Sequence, residues 1–273
     1  MNTVKFAMFT LCAATLVMAG CSKKKSSDNW VTLGSAGFSA GPVQYASMAV
    51  DSSNTPYVVY QDGGNFNKAT VMKFNGSAWG TVGSAGFGAG QTQYTNIAID
   101  PSGTPFVIYQ DSGNFNKATV MKFNGSEWVS VGTAGFSAGS VQFTNITIDA
   151  SGNPYVIFQD GFNSNKATVM KFNGTAWVTI GTAGFSAGLV YNTMIALDTS
   201  GSLYAAYGEV NNITATVMKF NGTNWSAVNP SGYSSLFAGY TNMVTDKNGS
   251  SYQVFQDYGC GQKATVMKSV SSN

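Results

Sequence analysis

Short segments of alternating apolar and polar residues run along the chain, and each is followed by a turn. Thr95–Asp100 alternates in this way and predicts one β-strand, and Phe106–Tyr109, rich in aromatic and β-branched residues, predicts a second. Lys117–Phe123 predicts a third strand. The Asn-Gly pair that follows is a strong hairpin signal, and Trp128–Val131 then predicts a fourth strand. The pattern therefore indicates an antiparallel sheet of four strands.

The same pattern recurs along the chain. The tract KATVMK or TATVMK appears five times in register, and three-strand sets accompany it. The tryptophans stand 49, 49, 49 and 48 residues apart, at Trp30, Trp79, Trp128, Trp177 and Trp225. A period of this length with four strands is typical of a β-propeller blade. We predict an all-β, five-bladed β-propeller over residues 30–273, with 49-residue repeats.

The order of the strands predicts how the ring closes. A strand at Trp30–Leu33 precedes the first three-strand set, and the chain ends just after a third strand, at Val270. Pairing of Trp30–Leu33 with Lys263–Val270 leaves no orphan edge, which would otherwise promote aggregation. We therefore expect a one-plus-three strand clasp.

Residues 1–20 have the features of a signal peptide. A positively charged start is followed by a 15-residue apolar run, which is too short to span a bilayer comfortably. The run ends in Met-Ala-Gly-Cys, which resembles the bacterial lipobox, although Met18 stands where that motif normally has Leu. The resemblance implies lipidation of Cys21, with residues 21–29 as the lipidated residue and polar tether. The alternative is an ordinary secretory leader with an incidental cysteine.

Composition narrows the function classes. Charged residues make up 10% of the chain, the formal net charge is +2, and Arg and His are absent. A nucleic-acid partner needs a basic face, so we expect none. Without His, no Ser-His or Cys-His pair can form. After Cys12 leaves with the leader and Cys21 carries lipid, Cys260 stands alone, so we expect no internal disulfide.

One repeat, Phe123–Asp160, resembles the NHL-type propeller repeat. It has a glycine-rich loop, then Gln-Phe, an apolar-Asp-x-x-Gly turn and Tyr-Val-x-x-Asp. The chain departs from that family in a longer period and in having Lys where Arg is common, at Lys68, Lys117, Lys166 and Lys263. Some members of the family carry metal-dependent lyase chemistry on histidines. That activity is not carried over, because this chain has no His.

Several residue types recur at fixed blade positions. Acidic residues end the first strands at Asp51, Asp100, Asp149, Asp198 and Asp246, and follow the second strands at Asp62, Asp111, Asp160, Glu209 and Asp257. They are either turn braces that accept backbone N–H bonds or a ring of calcium ligands; repetition in every blade favours the brace. The tryptophans either pack between blades or form sugar platforms, and the same argument favours packing. We predict no metal and no cofactor.

The loop between the second and third strands carries the candidate ligand site. In propellers this loop shares one face with the loop that leads into the next blade. The sequences QDGGNFNK and QDSGNFNK combine amides, a carboxylate and an apolar ring, a set suited to carbohydrate. The candidate residues are Asp62, Asn65, Phe66, Asn67, Asp111, Asn114, Phe115 and Asn116. Drift in an unconstrained loop is the alternative interpretation.

Two classes of function follow. The first is a monomeric, lipid-anchored binding or scaffold module of the bacterial cell envelope, at the outer membrane or cell surface, for glycan or protein ligands. The second is a propeller glycoside hydrolase or lyase. A hydrolase needs two carboxylates in different environments. Only Glu127 and Glu209 depart from the repeat, and Glu127 lies in a hairpin on the other face. We therefore expect no enzyme.

Overall fold

The computed structural model describes residues 31–210, 214–228, 238–245, 251–257 and 263–268. Within them the chain forms four antiparallel sheets of four strands and a fifth sheet of three. Each sheet uses strands in chain order, so that each strand pairs with the next one along the sequence. We call each sheet a blade and its successive strands A, B, C and D.

The bounds of the strands follow the repeat. Blade 1 holds β1 (Val43–Val50), β2 (Pro56–Asp62), β3 (Lys68–Phe74) and β4 (Trp79–Thr81). Blade 2 holds β5 (Thr92–Ile99), β6 (Pro105–Asp111), β7 (Lys117–Phe123) and β8 (Trp128–Ser130). Blade 3 holds β9 (Val141–Ile148), β10 (Pro154–Asp160), β11 (Lys166–Phe172) and β12 (Trp177–Thr179). Blade 4 holds β13 (Val190–Leu197), β14 (Leu203–Glu209), β15 (Thr214–Phe220) and β16 (Trp225–Ala227). Blade 5 holds β17 (Ala238–Thr245), β18 (Ser251–Asp257) and β19 (Lys263–Lys268).

Strand A differs from its sequence prediction. It begins at Thr92 in blade 2, three residues earlier than the alternation indicated, and the pairing with strand B shifts between Gln93 and Asn96. Tyr94 lies inside this β-bulge with a φ of 53°. The A strands of neighbouring blades contact one another, so they form the inner edge of the array.

The hydrophobic cores lie between blades. One core joins Val59 and Val71 of blade 1 to Val107, Tyr109 and Trp128 of blade 2. Equivalent cores join blades 2 and 3 and blades 3 and 4. A single sheet has no interior, so the apolar side chains of a blade are buried by packing against those of the neighbouring blade.

The tryptophans of the described D strands bridge neighbouring blades, as predicted. The indole N–H of Trp128 donates to the carbonyl of Val82 at 2.8 Å, and its ring stacks on Phe87 with centroids 4.3 Å apart. Trp177 does the same with Val131 and Phe136. The indole hydrogen bond and the ring stacking hold each D strand to the segment that follows the D strand of the preceding blade.

The D–A loops pack closely on the B–C loops. Ser112 donates its backbone N–H to the carbonyl of Gln91, and Val141 donates to the carbonyl of Asn116. A methyl group on Gly90 would overlap the backbone nitrogen of Gly113, so this contact requires glycine. Both kinds of loop therefore emerge on one side, which we call the loop face.

The two ends of the array expose faces that are buried elsewhere. Met48 of blade 1 is 61% exposed, whereas the equivalent Ile97 is buried. Val266 of blade 5 is 64% exposed, whereas the equivalent Val120 is buried. These residues occupy the same repeat positions as interface residues, so blade 1 and blade 5 each present an uncovered sheet face.

Several sequence predictions concern residues that the structure does not describe. They include the signal peptide, Cys21, the tether and Trp30. Residues 31–33 are not in a strand, and β19 has no fourth strand beside it within the described residues, so the clasp stays a prediction. Among the described residues, no helix is long and apolar enough to cross a membrane.

Candidate functional site

The B–C loop of each intact copy is a single 3₁₀ turn with a fixed shape. In blade 2 the turn covers Ser112–Asn114, and Asp111 at its N-cap accepts a hydrogen bond from the backbone N–H of Gly113. Phe115 and Asn116 follow with φ values of 57° and 58°. The blade 1 loop has the same construction, with Phe66 and Asn67 in the left-handed conformation.

The carboxylates of this loop are buried braces. Asp111 is 1% exposed, and its oxygens accept hydrogen bonds from the Gly113 backbone at 3.0 Å, the Asn114 amide at 2.8 Å and the Thr119 hydroxyl at 3.0 Å. Thr119 in turn accepts from the backbone N–H of Gly135 in the next D–A loop. The carboxylate therefore fixes the turn and ties it to the neighbouring loop. Asp62 and Asp160 have equivalent partners.

The two phenylalanines are the exposed part of the loop. Phe66 is 85% exposed and Phe115 is 87% exposed. The left-handed conformation costs an L-residue other than glycine about 1–2 kcal/mol, and Asn or Gly adopts it more easily than Phe. Neither ring contributes to a hydrophobic core of the described residues. The chain thus places two apolar rings in solvent on a strained backbone, and the packing of the fold supplies no reason for them.

The predicted site residues divide into two groups in the structure. Asp62, Asp111, Asn65 and Asn114 hold the turns together, and Asn65 and Asn114 are half-buried by that role. The second group, Phe66, Phe115, Asn67 and Asn116, is exposed at the loop tips. The sequence analysis placed both groups in the same two loops, but the structure fully exposes only the second group.

The third copy of the loop is altered. Phe162 stands two positions earlier than Phe66 and Phe115 do in their copies, and it is also exposed. Ser164 occupies the left-handed position. In blade 4 the buried Glu209 accepts a hydrogen bond from the backbone N–H of Gly188, and residues 211–213 of its loop lie outside the described residues.

The carboxylates at the ends of the A strands brace the opposite face. Asp149 accepts from the backbone N–H groups of Ser151 and Asn153, and also from the Lys171 ammonium at 3.3 Å. Burial would raise the pKa of Asp149, but the hydrogen bonds from Asn153, Lys171 and Ser151 outweigh it and lower the pKa. The lowered pKa shows that the turn favours the ionised carboxylate. Among the described residues, no group of three or more His, Cys, Asp or Glu side chains could hold a metal ion.

A second concave region lies at the inner edge of the array, and the sequence analysis did not assign it a function. It is a cavity of about 220 Å³, which we call the inner cavity, lined in part by Tyr45, Tyr94, Phe143 and Asn192. These four residues occupy the same position of the A-strand bulge in blades 1 to 4. Burial, and next the nearby Tyr45, raise the pKa of Tyr94, so its phenol stays protonated at neutral pH. The Gln-aromatic pair that recurs within strand A of blades 1 to 3 was the available sequence signal.

Comparisons with known proteins identify the fold. No protein-family model matches the chain, and no curated protein matches it significantly. A Dyadobacter fermentans protein of unknown function matches with a TM-score of 0.59 and 13% identity, covering 86% of this chain and 77% of that one. A mutant Aleuria aurantia lectin in complex with Fucα1-6GlcNAc matches with a TM-score of 0.57 and 14% identity, covering 83% and 78%.

A third similar structure is an enzyme. An ulvan lyase of a new polysaccharide lyase family matches with a TM-score of 0.55 and 12% identity, covering 80% of this chain and 67% of that one. The matches include both lectins and enzymes, and at such low identity they establish the fold alone. The chain is a repeat protein of the β-propeller class.

Asp111→Ala tests the brace. The substitution leaves a backbone N–H, an amide and a hydroxyl without their shared acceptor. We therefore expect the free energy of unfolding to fall by about 3 kcal/mol, measured by urea denaturation. Glu127→Ala, which removes an exposed carboxylate from a hairpin of the same blade, is the control and should change stability by less than about 0.5 kcal/mol. An unchanged free energy of unfolding in Asp111→Ala would contradict the brace, and Asp111 would then remain a candidate for ligand binding.

Proposed function

We propose that this protein is a binding module of the bacterial cell envelope whose loop face recognises glycans. The observation that carries the proposal is the exposure of Phe66 and Phe115 on a strained backbone. A strained residue that the fold does not need is a pointer to function. An exposed aromatic face beside amide groups fits a sugar ring, which offers an apolar face and hydroxyl groups at its edge. A protein ligand is the alternative occupant of the same surface.

The geometry of the loop favours recognition by a rigid surface. Each Phe follows a turn whose carboxylate is fixed by three hydrogen bonds, so ligand binding would order few new groups. Preorganisation lowers the entropic cost of association. The two intact copies, in blades 1 and 2, would act together, because linked sites raise apparent affinity without new contacts.

The described carboxylates of the loop face do not favour the enzyme alternative. Of the four carboxylates described there, Asp62, Asp111 and Asp160 have equivalent partners, Glu209 accepts from Gly188 instead, and all four are buried rather than presented to a substrate. Acid–base catalysis by two carboxylates requires different environments for the two groups. We therefore propose binding rather than catalysis. The similarity to an ulvan lyase keeps hydrolase or lyase activity as an alternative, which an assay on polysaccharide substrates addresses.

We also propose that the five blades close into a ring. The faces exposed at Met48 and Val266 are equivalents of faces that pack together inside the array. Residues 30–33 would then pair with β19, as the sequence predicts. In line with this, the carbonyl of Leu33 accepts from the indole of Trp79, as the carbonyl of Val82 does from Trp128. The resemblance to the NHL-type repeat stays a prediction of the same kind.

The loop-face proposal is tested with Phe66→Ala combined with Phe115→Ala in the full-length protein. We expect binding to an immobilised glycan array that includes Fucα1-6GlcNAc to fall by about a hundredfold or more, because avidity is lost with both rings. Stability should change little, since both rings are exposed. Phe66→Tyr with Phe115→Tyr keeps the rings and should keep binding. If the alanine variant binds the array as tightly as the parent, the loop tips are not the site.

Ring closure is tested with Val266→Asp. In a closed ring this carboxylate is buried between blades, so we expect stability to fall by at least about 2 kcal/mol, measured by urea denaturation. Val217→Asp, at the equivalent buried position of blade 4, is the reference for a full effect. An unchanged free energy of unfolding in Val266→Asp would show that this face stays open. Light scattering distinguishes closure within one chain from pairing between copies.

The membrane anchor is tested by metabolic labelling with an alkyne-bearing fatty acid. Lipidation at Cys21 predicts labelling of the parent protein and its loss in Cys21→Ser, because the thiol is the acylated group. Cys12→Ser is the matched control and should remain labelled, since Cys12 is removed with the leader. Labelling that survives in Cys21→Ser would contradict the predicted anchor.

A further inference from the structure

Four equivalent residues of the A strands share an unusual backbone. Tyr45, Tyr94, Phe143 and Asn192 have φ values from 49° to 53°. The hydroxyls of Thr95, Thr144 and Thr193, each one blade further along, donate to the carbonyls of the three aromatic residues. The bulge thus turns these side chains toward the inner edge of the array, and each neighbouring blade holds it there.

The aromatic members form a continuous series. The rings of Tyr45 and Tyr94 have centroids 5.0 Å apart, and those of Tyr94 and Phe143 are also 5.0 Å apart. The rings are tilted by 50° and 55°, which is a favourable arrangement for aromatic pairs. Among the residues whose side chains the structure describes, the series is interrupted at blade 4, where the equivalent residue is the shorter Asn192.

The inner cavity lies against this series, and none of the described residues that line it is charged. Its wall combines the aromatic rings with amides and hydroxyls, including those of Asn145 and Thr193. A volume of about 220 Å³ corresponds to about seven water molecules at about 30 Å³ each, which is the scale of one small ring rather than a chain. The described lining, with its rings, amides and hydroxyls, matches a neutral ligand better than a cation or a carboxylate.

Most lining residues of the cavity lie in the half of strand A that is nearer the loop face. In strand A, Val43 pairs with Asp62, the residue before the B–C loop, and Tyr45 lies two residues further along. A ligand that contacts Phe66 or Phe115 at the rim could therefore have a second residue directed toward the axis. The chain has two intact loop sites but one inner cavity, so the stoichiometry of binding distinguishes them.

We propose that the inner cavity binds one neutral pyranose ring per chain, with the aromatic series as its apolar wall and the amide of Asn192 in its polar wall. The inference rests on the proposed glycan-binding function and adds a central site to it. Because Tyr45 and Tyr94 adopt the same backbone conformation as Asn192, that conformation is compatible with Tyr. Asn192→Tyr therefore fills the cavity while preserving the bulge.

The experiment uses the full-length protein, purified in a detergent without a sugar headgroup. The probes are the methyl glycosides of glucose, galactose, fucose and N-acetylglucosamine, measured by saturation-transfer NMR and calorimetry. We expect at least one of them to bind with a stoichiometry of one, and Asn192→Tyr to weaken it by about tenfold or more. Asn165→Tyr makes the same change at an exposed left-handed residue and should leave binding unchanged. The Phe66→Ala, Phe115→Ala variant should also retain this binding.

The outcomes separate the two proposals. If Asn192→Tyr loses methyl glycoside binding and the Phe66→Ala, Phe115→Ala variant retains it, the central site is supported, whatever the glycan array shows for the loops. Methyl glycoside binding that Asn192→Tyr leaves intact overturns the central site. The absence of methyl glycoside binding also overturns it, while array binding that depends on Phe66 and Phe115 leaves the loop-face proposal standing. Array binding that the phenylalanine variant retains, together with loss in Asn192→Tyr, overturns the loop proposal alone.

Discussion

The structure depends on one constraint, which is that an inner blade has both of its faces covered by a neighbouring blade. The B strands β6 and β10 are buried along almost their entire length, although each belongs to a sheet of only four strands. Such burial requires a neighbour on each side. The residues that secure the neighbours are polar as well as apolar. The indole of Trp128, the amide of Gln110 and the hydroxyl of Thr144 each donate to a carbonyl of an adjacent blade. Directional bonds of this kind fix the relative position of two sheets, which apolar packing alone leaves free to slide.

The sequence predicted most of the fold because its signals are local. Asn124 and Gly125 mark a hairpin, and the alternation of the A strand marks its buried face, without reference to any other blade. The bulge at Tyr94 was not predictable in this way. Its conformation depends on Thr144, fifty residues away, and a contact between blades leaves no trace in the pattern of one strand. The recurring Gln-aromatic pair marks the position of the inner cavity, but the sequence of one strand does not show that the rings of neighbouring blades meet there.

The candidate loop site was predicted in part. The exposure of Phe66 and Phe115 followed from an apolar residue within a polar loop. The brace role of Asp62 and Asp111 was favoured by its repetition in every blade, but both residues also stayed ligand candidates, because a carboxylate beside glycine and asparagine suits a ligand as well as its own turn. The partner that decides the role is Thr70 or Thr119 on the next strand, which completes the hydrogen-bonding of the carboxylate. The loop therefore separates a buried polar base from an exposed apolar tip, and that division lets the tip residues vary while the frame stays constant.

The near-identity of the C strands has a consequence for how the chain folds. The segment KATVMKF is the same in β3, β7 and β11, and in each blade it pairs with a similar B strand in the same register. A C strand could thus pair with the B strand of another blade at nearly the same energy. Only the short loop from B to C favours the correct partner, through the lower entropy cost of closing a short loop. Refolding from denaturant should therefore be fast for correctly paired blades and slow for chains that first exchange strands, with such exchange also able to link two chains during synthesis at high concentration.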